Sequence, residues 1–274
     1  MSLPFSDHCR PLADDPADLS ALLGALGRTR EAEGWKYVEI RSLNDPEGIG
    51  GQAAGFAPAQ AFHFHTLDLE PSLDMLAAGL HKDCVLRKIH RAERDGLRLE
   101  EGRSAPLLRQ FYGLQLKTRR RQRLPPQPFA WFRNLAECLG EQMTVRVASL
   151  EGRAVASIIT FVCRETIVYK YGCSDRAFNR HGGTQLLLWT AIREARSRGF
   201  KRLDMGRTDC GQQGLVDFKE RWGARGSMCA YLRYPASEAQ HRPGGRLRYG
   251  GGLLALLPDP LLSVAGSVIY RHLA

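Results

Sequence analysis

The sequence predicts an α/β protein of the α+β kind, with one mixed sheet flanked by helices. Three observations carry this. First, Met143–Leu150, Ala154–Cys163 and Thr166–Cys173 are three apolar runs with short turns at Glu151-Gly152 and Arg164-Glu165 between them. Links that short join antiparallel strands into a meander. Second, a helical pattern at 184–198 leads into a strand at Leu203 and Met205. A strand–helix–strand crossover within one sheet is parallel and right-handed, so the sheet is mixed. Third, helical stretches precede the meander at 72–95, at 104–121 and from Phe129 onward.

The elements follow in order. Leu19, Leu22, Leu23 and Leu26 recur at three and four, which places a helix over 18–34 with Gly34 as its stop. A strand runs from Trp35 to Ile40, and 41–60 is a Gly- and Pro-containing loop. Phe62, Phe64 and Thr66 alternate with His63 and His65, the pattern of a strand. Those histidines lack acidic neighbours at ligand spacing, so no metal is expected. Within 72–95, Leu80, Cys84, Ile89 and Ala92 form an apolar side. Arg87, Arg91 and Arg94 form a basic stripe, and Gly96 ends the helix. The next helix ends in Arg119-Arg120-Arg121, and Leu124-Pro125-Pro126-Gln127-Pro128 is a stiff connector. Leu188, Ile192 and Ala195 share one face of the crossover helix, which Gly199 stops. A short helix over 214–222 and a strand at Met228–Tyr234 complete the sheet.

The chain thus divides into an incomplete first lobe at 1–78, a main lobe at 79–235 and a tail at 236–274. In the tail, Leu253–Leu257 and Leu261–Tyr270 are apolar runs broken by Pro258-Asp259-Pro260 and flanked by Arg246, Arg248 and Arg271. Such a segment packs on its own domain or makes a peripheral membrane contact through 246–274.

The 274 residues carry a net charge of +10. Residues 1–78 hold 5 basic and 12 acidic side chains, whereas residues 79–133 hold 14 and 5. This abrupt change suits an anionic partner: a phosphate-rich cofactor, RNA, a nucleotide-linked substrate or an anionic membrane. The plainer reading is a solvated basic face. Seven scattered cysteines with no C-x-x-C pair argue against a disulfide framework or zinc site and read as small, mostly buried hydrophobes in a reducing compartment. No leader-like or spanning apolar run is seen, so a cytoplasmic protein is expected.

Four stretches resemble the FemAB-like branch of the GNAT acyltransferases, the branch of peptidoglycan-bridge and exopolysaccharide-type transferases. They are Arg87 to Gly96; Phe111-Tyr112 through Thr118 to Arg121; Tyr169-Lys170-Tyr171-Gly172-Cys173-Ser174; and Leu203-Asp204-Met205-Gly206-Arg207 leading to Phe218-Lys219 and Trp222-Gly223. The resemblance covers roughly 80–235, and 1–78 resembles a truncated first lobe of that family. It implies an N-acyl or N-aminoacyl transferase acting on an amine of a cell-envelope or exopolysaccharide precursor. The implied donor is acyl-CoA or aminoacyl-tRNA, with no metal. Two alternatives stay open: an acyl-CoA-dependent N-acetyltransferase of a small molecule, and a non-catalytic RNA- or membrane-binding module. Typical GNAT enzymes carry Gln/Arg-x-x-Gly-x-Gly/Ala where this chain has Arg180-His181-Gly182-Gly183-Thr184-Gln185. Arg180 and Gly183 fit, but Gln185 fills the last small-residue position. A partial phosphate cradle and a glycine-rich helix start with Thr184 as N-cap both fit this stretch.

Acyl transfer to an amine needs a held donor, a deprotonated amine and a stabilised oxyanion. The resemblance implies that Lys219 meets donor phosphate or transition-state charge. Read as a surface lysine, its change to Ala would leave the fold intact. Tyr169 and Tyr171 stand two apart on a strand and so share a face, from which either can donate to the reacting carbonyl. Asp204 accepts the amine proton or holds Arg207 in an ion pair. Arg180, Gly182, Gly183, Thr184 and Arg207 are the donor-binding candidates. Arg87, Arg91, Tyr112, Arg119, Arg120, Tyr169, Phe218 and Trp222 are the substrate-binding candidates. Replacing Arg87, Arg91 and Arg119 to Arg121 with Ala should weaken binding of a phosphate-bearing ligand and flatten its salt dependence. Titrations across a salt series test this, and unchanged affinity returns the stripe to solvated surface.

Overall fold

The computed structural model describes residues 6–9, 11–43, 55–236 and 256–270. The elements run α1 (Pro16–Glu33), β1 (Val38–Leu43), β2 (Ala57–Asp68), α2 (Leu73–Ala78), a π-helical turn (Lys82–Leu86), α3 (Arg87–Arg94) and β3 (Arg98–Gly102). They continue with α4 (Ala105–Gln122), α5 (Phe129–Leu139), β4 (Met143–Leu150), β5 (Arg153–Cys163) and β6 (Thr166–Ser174). A 3-10 segment (Arg176–His181), α6 (Gly183–Ser197), β7 (Arg202–Asp209), α7 (Gln213–Glu220), β8 (Arg225–Tyr234) and α8 (Asp259–Tyr270) follow. The strands hydrogen-bond in the order β1-β8-β2-β7-β6-β5-β4-β3, a mixed sheet flanked by helices as expected. The chain gathers into two compact units.

The larger unit holds 66–206, 218–225 and 246–274. Its meander forms because Glu151 and Gly152 both take positive φ (51° and 76°), the requirement of a tight hairpin turn. β3–β4, β4–β5 and β5–β6 are antiparallel. β6 and β7 are parallel through Thr166↔Arg202, Ile167↔Leu203 and Val168↔Asp204. The expected crossover is therefore present, carried by α6. One sheet face, with Ile158, Ile167 and Leu203, packs on α3 and α6 through Ile89, Leu187 and Ile192. The other, with Val145, Val147 and Ile159, packs on α4 and α5 through Phe111 and Phe132. Each such aromatic contributes about 1.5–3 kcal/mol by leaving water.

The smaller unit holds 1–65, 207–217 and 226–245. β1 pairs antiparallel with β8 from Val38↔Tyr234 to Leu43↔Cys229. Leu23 of α1 packs with Ile40, Phe56 and Leu232. Phe62 and Phe64 pack with Cys229 and Tyr231.

Several sequence expectations are corrected. The stretch 72–95 is not one helix. α2 is capped by the Ser72 hydroxyl and ends at Gly79, and the His81 ring then accepts the Cys84 N–H (3.2 Å) to start a new turn. A side-chain cap offered mid-helix competes with helix continuation. β3 was not expected, because Arg98, Glu100 and Glu101 hide its period; it is the charged edge strand of the sheet. β1 starts three residues later than expected. β2 begins at Ala57 inside the expected loop 41–60, of which 44–54 lie outside the described residues. Of the tail, 237–255 and 271–274 lie outside them too. All seven cysteines are free, and Cys9, Cys138, Cys163 and Cys210 are exposed rather than buried.

Tyr169 and Tyr171 do not share a face. The β5–β6 register jumps from Ile159↔Tyr171 to Thr160↔Tyr169, leaving Lys170 as an extra residue. Such a bulge shifts the two-residue alternation by one position. Tyr169 packs with the α3/α6 cluster and Tyr171 with the α4/α5 cluster.

Asp175 ties β6 to the next segment. Its carboxylate accepts from Lys117 Nζ (2.6 Å), Arg153 (3.0 Å) and the Ala177 N–H (3.2 Å). The Lys117 ammonium holds this carboxyl below the ordinary carboxylate range. A depressed folded-state pKa adds stability above the unfolded value and loses it as pH falls through the folded value. Asp175→Asn should therefore melt below wild type at neutral pH, with the gap closing in acid. Melting curves across that range check this, and a pH-independent gap would contradict it.

Candidate active site

β6 delivers the chain to α6 through a tight turn. Gly182 takes φ 75°, and a Cβ there would overlap the Lys88 carbonyl oxygen of α3. A Cβ on Gly183 is already near-contact with the Ala156 methyl at 3.0 Å. The two glycines thus let the loop lie against α3 and β5. The turn is pinned by His181 Nδ1 against Asp95 Oδ2 (2.6 Å), while Arg180 Nε donates to His181 Nε2 (3.1 Å).

The N-cap of α6 is Gly182, not Thr184, and no side chain caps it. The first backbone bond returning to the cap is Leu186 N–H to Gly182 O (3.0 Å). The N–H groups of Gly183, Thr184 and Gln185 therefore have no acceptor within the helix. These three residues line a cavity of about 200 Å³ shared with Lys88, Ser174 and Phe218. Free N–H groups, the positive helix end and a lysine on one cavity wall make a receptor for a phosphate. The candidates Gly183, Thr184 and Phe218 come together here.

The second feature is where β6 and β7 part. Their pairing ends at Val168↔Asp204, although β6 continues to Ser174. Beyond that point β6 carries its bulge, and β7 turns at Gly206 with φ 71°. Two charged residues hold Gly206 from both sides. Asp204 Oδ1 accepts its N–H (2.6 Å), and Lys219 Nζ donates to its carbonyl (2.6 Å). Lys219 is 2% exposed and Asp204 7%. The surface lysine read from the sequence is thus a buried one. The expectation that its loss would spare the fold is corrected, because truncation strands a buried carbonyl.

The remaining candidates sit elsewhere. The Tyr169 hydroxyl lies so close to Gly172 that any Cβ there would overlap it. Burial pushes that hydroxyl well up, so it stays protonated and able to donate. The Tyr171 oxygen instead accepts from Trp131 Nε1 (3.0 Å), beside Phe111 and Phe132. Trp222 is a core side chain with its ring 6.4 Å from Phe218. Arg87 and Arg91 are exposed on α3, next to the Lys88 that lines the cavity. Arg119 donates to Gln127 (3.2 Å), Arg120 to Leu257 O (2.9 Å), and the Tyr112 and Ser263 hydroxyls share a hydrogen bond (2.8 Å). Arg207 belongs to the smaller unit, 4.3 Å over the Phe62 ring and donating to the Tyr231 hydroxyl (2.7 Å). Sequence reasoning missed Lys88, Ser174 and the Asp95–His181 pair. Only Lys88 carried a signal, as a basic residue inside the Arg87–Arg91 stripe. Among the described residues no metal-binding cluster occurs.

Residues 82–220 match the family described as "Acetyltransferase (GNAT) domain", a span containing the cavity, the parted strands and the Gly206 clamp. No curated protein matches the sequence. The fold is shared with the crystal structure of FemX, at a TM-score of 0.69 and 15% identity over 85% of this chain and 82% of that one. It is shared with the C-terminal domain (DUF2156) of a putative lysylphosphatidylglycerol synthetase from Agrobacterium fabrum (TM-score 0.60, 14% identity, 81% and 75% of the chains). L-PGS from Bacillus licheniformis is a third likeness (TM-score 0.59, 12% identity, 89% and 78%). At such identities the likeness is one of fold.

Lys219→Ala should lower the melting temperature as well as any turnover, since the lost donor leaves a buried carbonyl at a cost of about 1–3 kcal/mol. Lys219→Arg should recover neither fully, because a planar guanidinium does not fit where a compact ammonium sits. A Lys219→Ala protein that melts like wild type would contradict the clamp.

Proposed function

The chain belongs to the GNAT acetyltransferase domain family and is an acyltransferase; from that premise we propose that it moves an acyl or aminoacyl group from a phosphate-bearing donor to an amine. The observation that carries this reading is the cavity at the start of α6, lined by Lys88 and by the three residues whose N–H groups have no acceptor within the helix. Acyl-CoA and aminoacyl-tRNA both bring phosphates that suit it. The residues fit such a donor: Gly182 and Gly183 keep the loop free of side-chain bulk, and no carboxylate lines the cavity.

With the phosphate held there, the acyl arm lies along β6, which leads from Tyr169 to the cavity-lining Ser174. The amine nitrogen attacks the carbonyl carbon, a C–N bond forms and the carbonyl π pair moves onto oxygen. A protonated hydroxyl on β6, that of the buried Tyr169, holds that oxyanion, which is the stabilisation acyl transfer most needs. Collapse breaks the thioester C–S or ester C–O bond, and the proton lost by nitrogen ends on the leaving atom. Tyr169 is the better-placed hydroxyl donor, since it packs on the cavity's side of the sheet and Tyr171 on the other. Asp204 and Lys219 act through Gly206 as positioning residues. The motif resemblance to the FemAB-like branch directs the acceptor to an amine of a cell-envelope or exopolysaccharide precursor.

Thr184→Pro tests the reading. Proline is tolerated in the first turn of a helix and deletes one N–H that the fold does not use. Affinity for the true donor should fall about tenfold, the weight of one charge-assisted hydrogen bond, with the melting temperature kept. Isothermal titration with acetyl-CoA and with aminoacyl-tRNA reads the effect and identifies the donor. Binding of acetyl-CoA alone selects the small-molecule N-acetyltransferase reading. Donor affinity untouched by the variant, or RNA binding without turnover of either donor, would defeat the proposal.

A further inference from the structure

The tail helix α8 has its hydrophobic pattern inside out. Its packing against the larger unit uses Leu262, Ser263 and Gly266: Leu262 is buried, Ser263 bonds Tyr112, and Gly266 fits so closely on Pro126 that a Cβ would overlap the Pro126 carbonyl. Leu261, Val264 and Val268 are left outside, at 56%, 60% and 55% exposure. They stand three and seven apart and so form one stripe. Leu256, just before the helix, is 81% exposed. A helix lying on a soluble domain normally turns its apolar stripe inward and its charges out. Here no residue from Pro260 to Tyr270 is charged.

The surroundings are cationic. Asp259, the acidic residue of the helix, is matched by the Arg120 guanidinium. Arg121 and Arg123, beside Arg120 at the end of α4, are exposed. An uncharged apolar stripe on a helix tied through Arg120 to the arginine-rich end of α4 matches a surface that is anionic and fluid. The α8 helix has 12 residues, and among the described residues no helix is long and apolar enough to cross a membrane. An interfacial helix needs less, since modest apolar burial adds to attraction for anionic headgroups.

We propose that α8 docks this protein on an anionic bilayer, with Leu261, Val264 and Val268 entering the acyl boundary and Arg121 and Arg123 meeting lipid phosphates. The docking face is close to the donor cavity in the chain's own connections: Arg121 donates to the Ser174 carbonyl (3.3 Å), and Ser174 lines that cavity. This inference stands on α8 and does not require the acyl-transfer reading.

The test is co-sedimentation of the full chain with vesicles of phosphatidylcholine alone and of phosphatidylcholine mixed with phosphatidylglycerol. Wild type should pellet with the mixed vesicles at low salt and little with phosphatidylcholine alone. The triple variant Leu261→Ser, Val264→Ser, Val268→Ser should bind at least about tenfold more weakly. Arg121→Glu with Arg123→Glu should weaken binding to mixed vesicles and reduce its salt dependence. Both variants should melt near wild type, since the altered side chains are exposed. Wild type that ignores mixed vesicles would overturn the proposal, as would a triple variant that binds like wild type. Velocity sedimentation without lipid gives the last outcome: a wild-type dimer that the triple variant loses would hand the stripe to a second copy of the chain and overturn the bilayer.

Discussion

Strands alternate sides every second residue, and one extra residue in β6 breaks that rule where the site is built. Lys170 stands opposite nothing in β5, so the residues before and after it face different layers. Tyr169 goes to the layer of α3 and α6, and Tyr171 to the aromatic layer of Phe111 and Phe132. The same irregularity falls just past the last β6–β7 pair. Without it β6 would alternate regularly and both tyrosines would face one layer.

The backbone around the site has to be held for the site to keep its shape. The structure does this by fixing single peptides. Gly206 is gripped at its N–H by Asp204 and at its carbonyl by Lys219, both charged and both buried. Gly182 is fixed by close packing on the Lys88 backbone and by the His181–Asp95 pair next to it. These contacts join residues far apart in sequence, so the receptor for the donor is preorganised by the core rather than by the loop itself.

What the sequence showed and what it hid follow from the range of each interaction. The meander was legible because Glu151-Gly152 is a local turn signal. The crossover was legible because a helical period falls between two strands. Glycine at 182 and 183 was legible as a close approach, but the neighbour it approaches, Lys88, was not. The charged edge strand β3 shows no apolar alternation, and the break at Gly79–His81 depends on a side-chain cap whose competitor is an ordinary helix. Lys219 was picked out by motif resemblance, yet its burial was invisible: a lysine at helical spacing looks the same whether it points to water or to Gly206. The bulge at Lys170 leaves no trace in composition, and it reversed the pairing of the two tyrosines.

The smaller unit is sewn together from three separated stretches of chain, with β1 near the start pairing β8 near the end. A fragment trimmed to the family-matching core would keep neither partner of that ladder, and one trimmed only at the front would keep β8 with a bare edge. Bare edges recruit other chains. Material for biophysics should therefore keep both β1 and β8, since losing the pair would in turn bare β2.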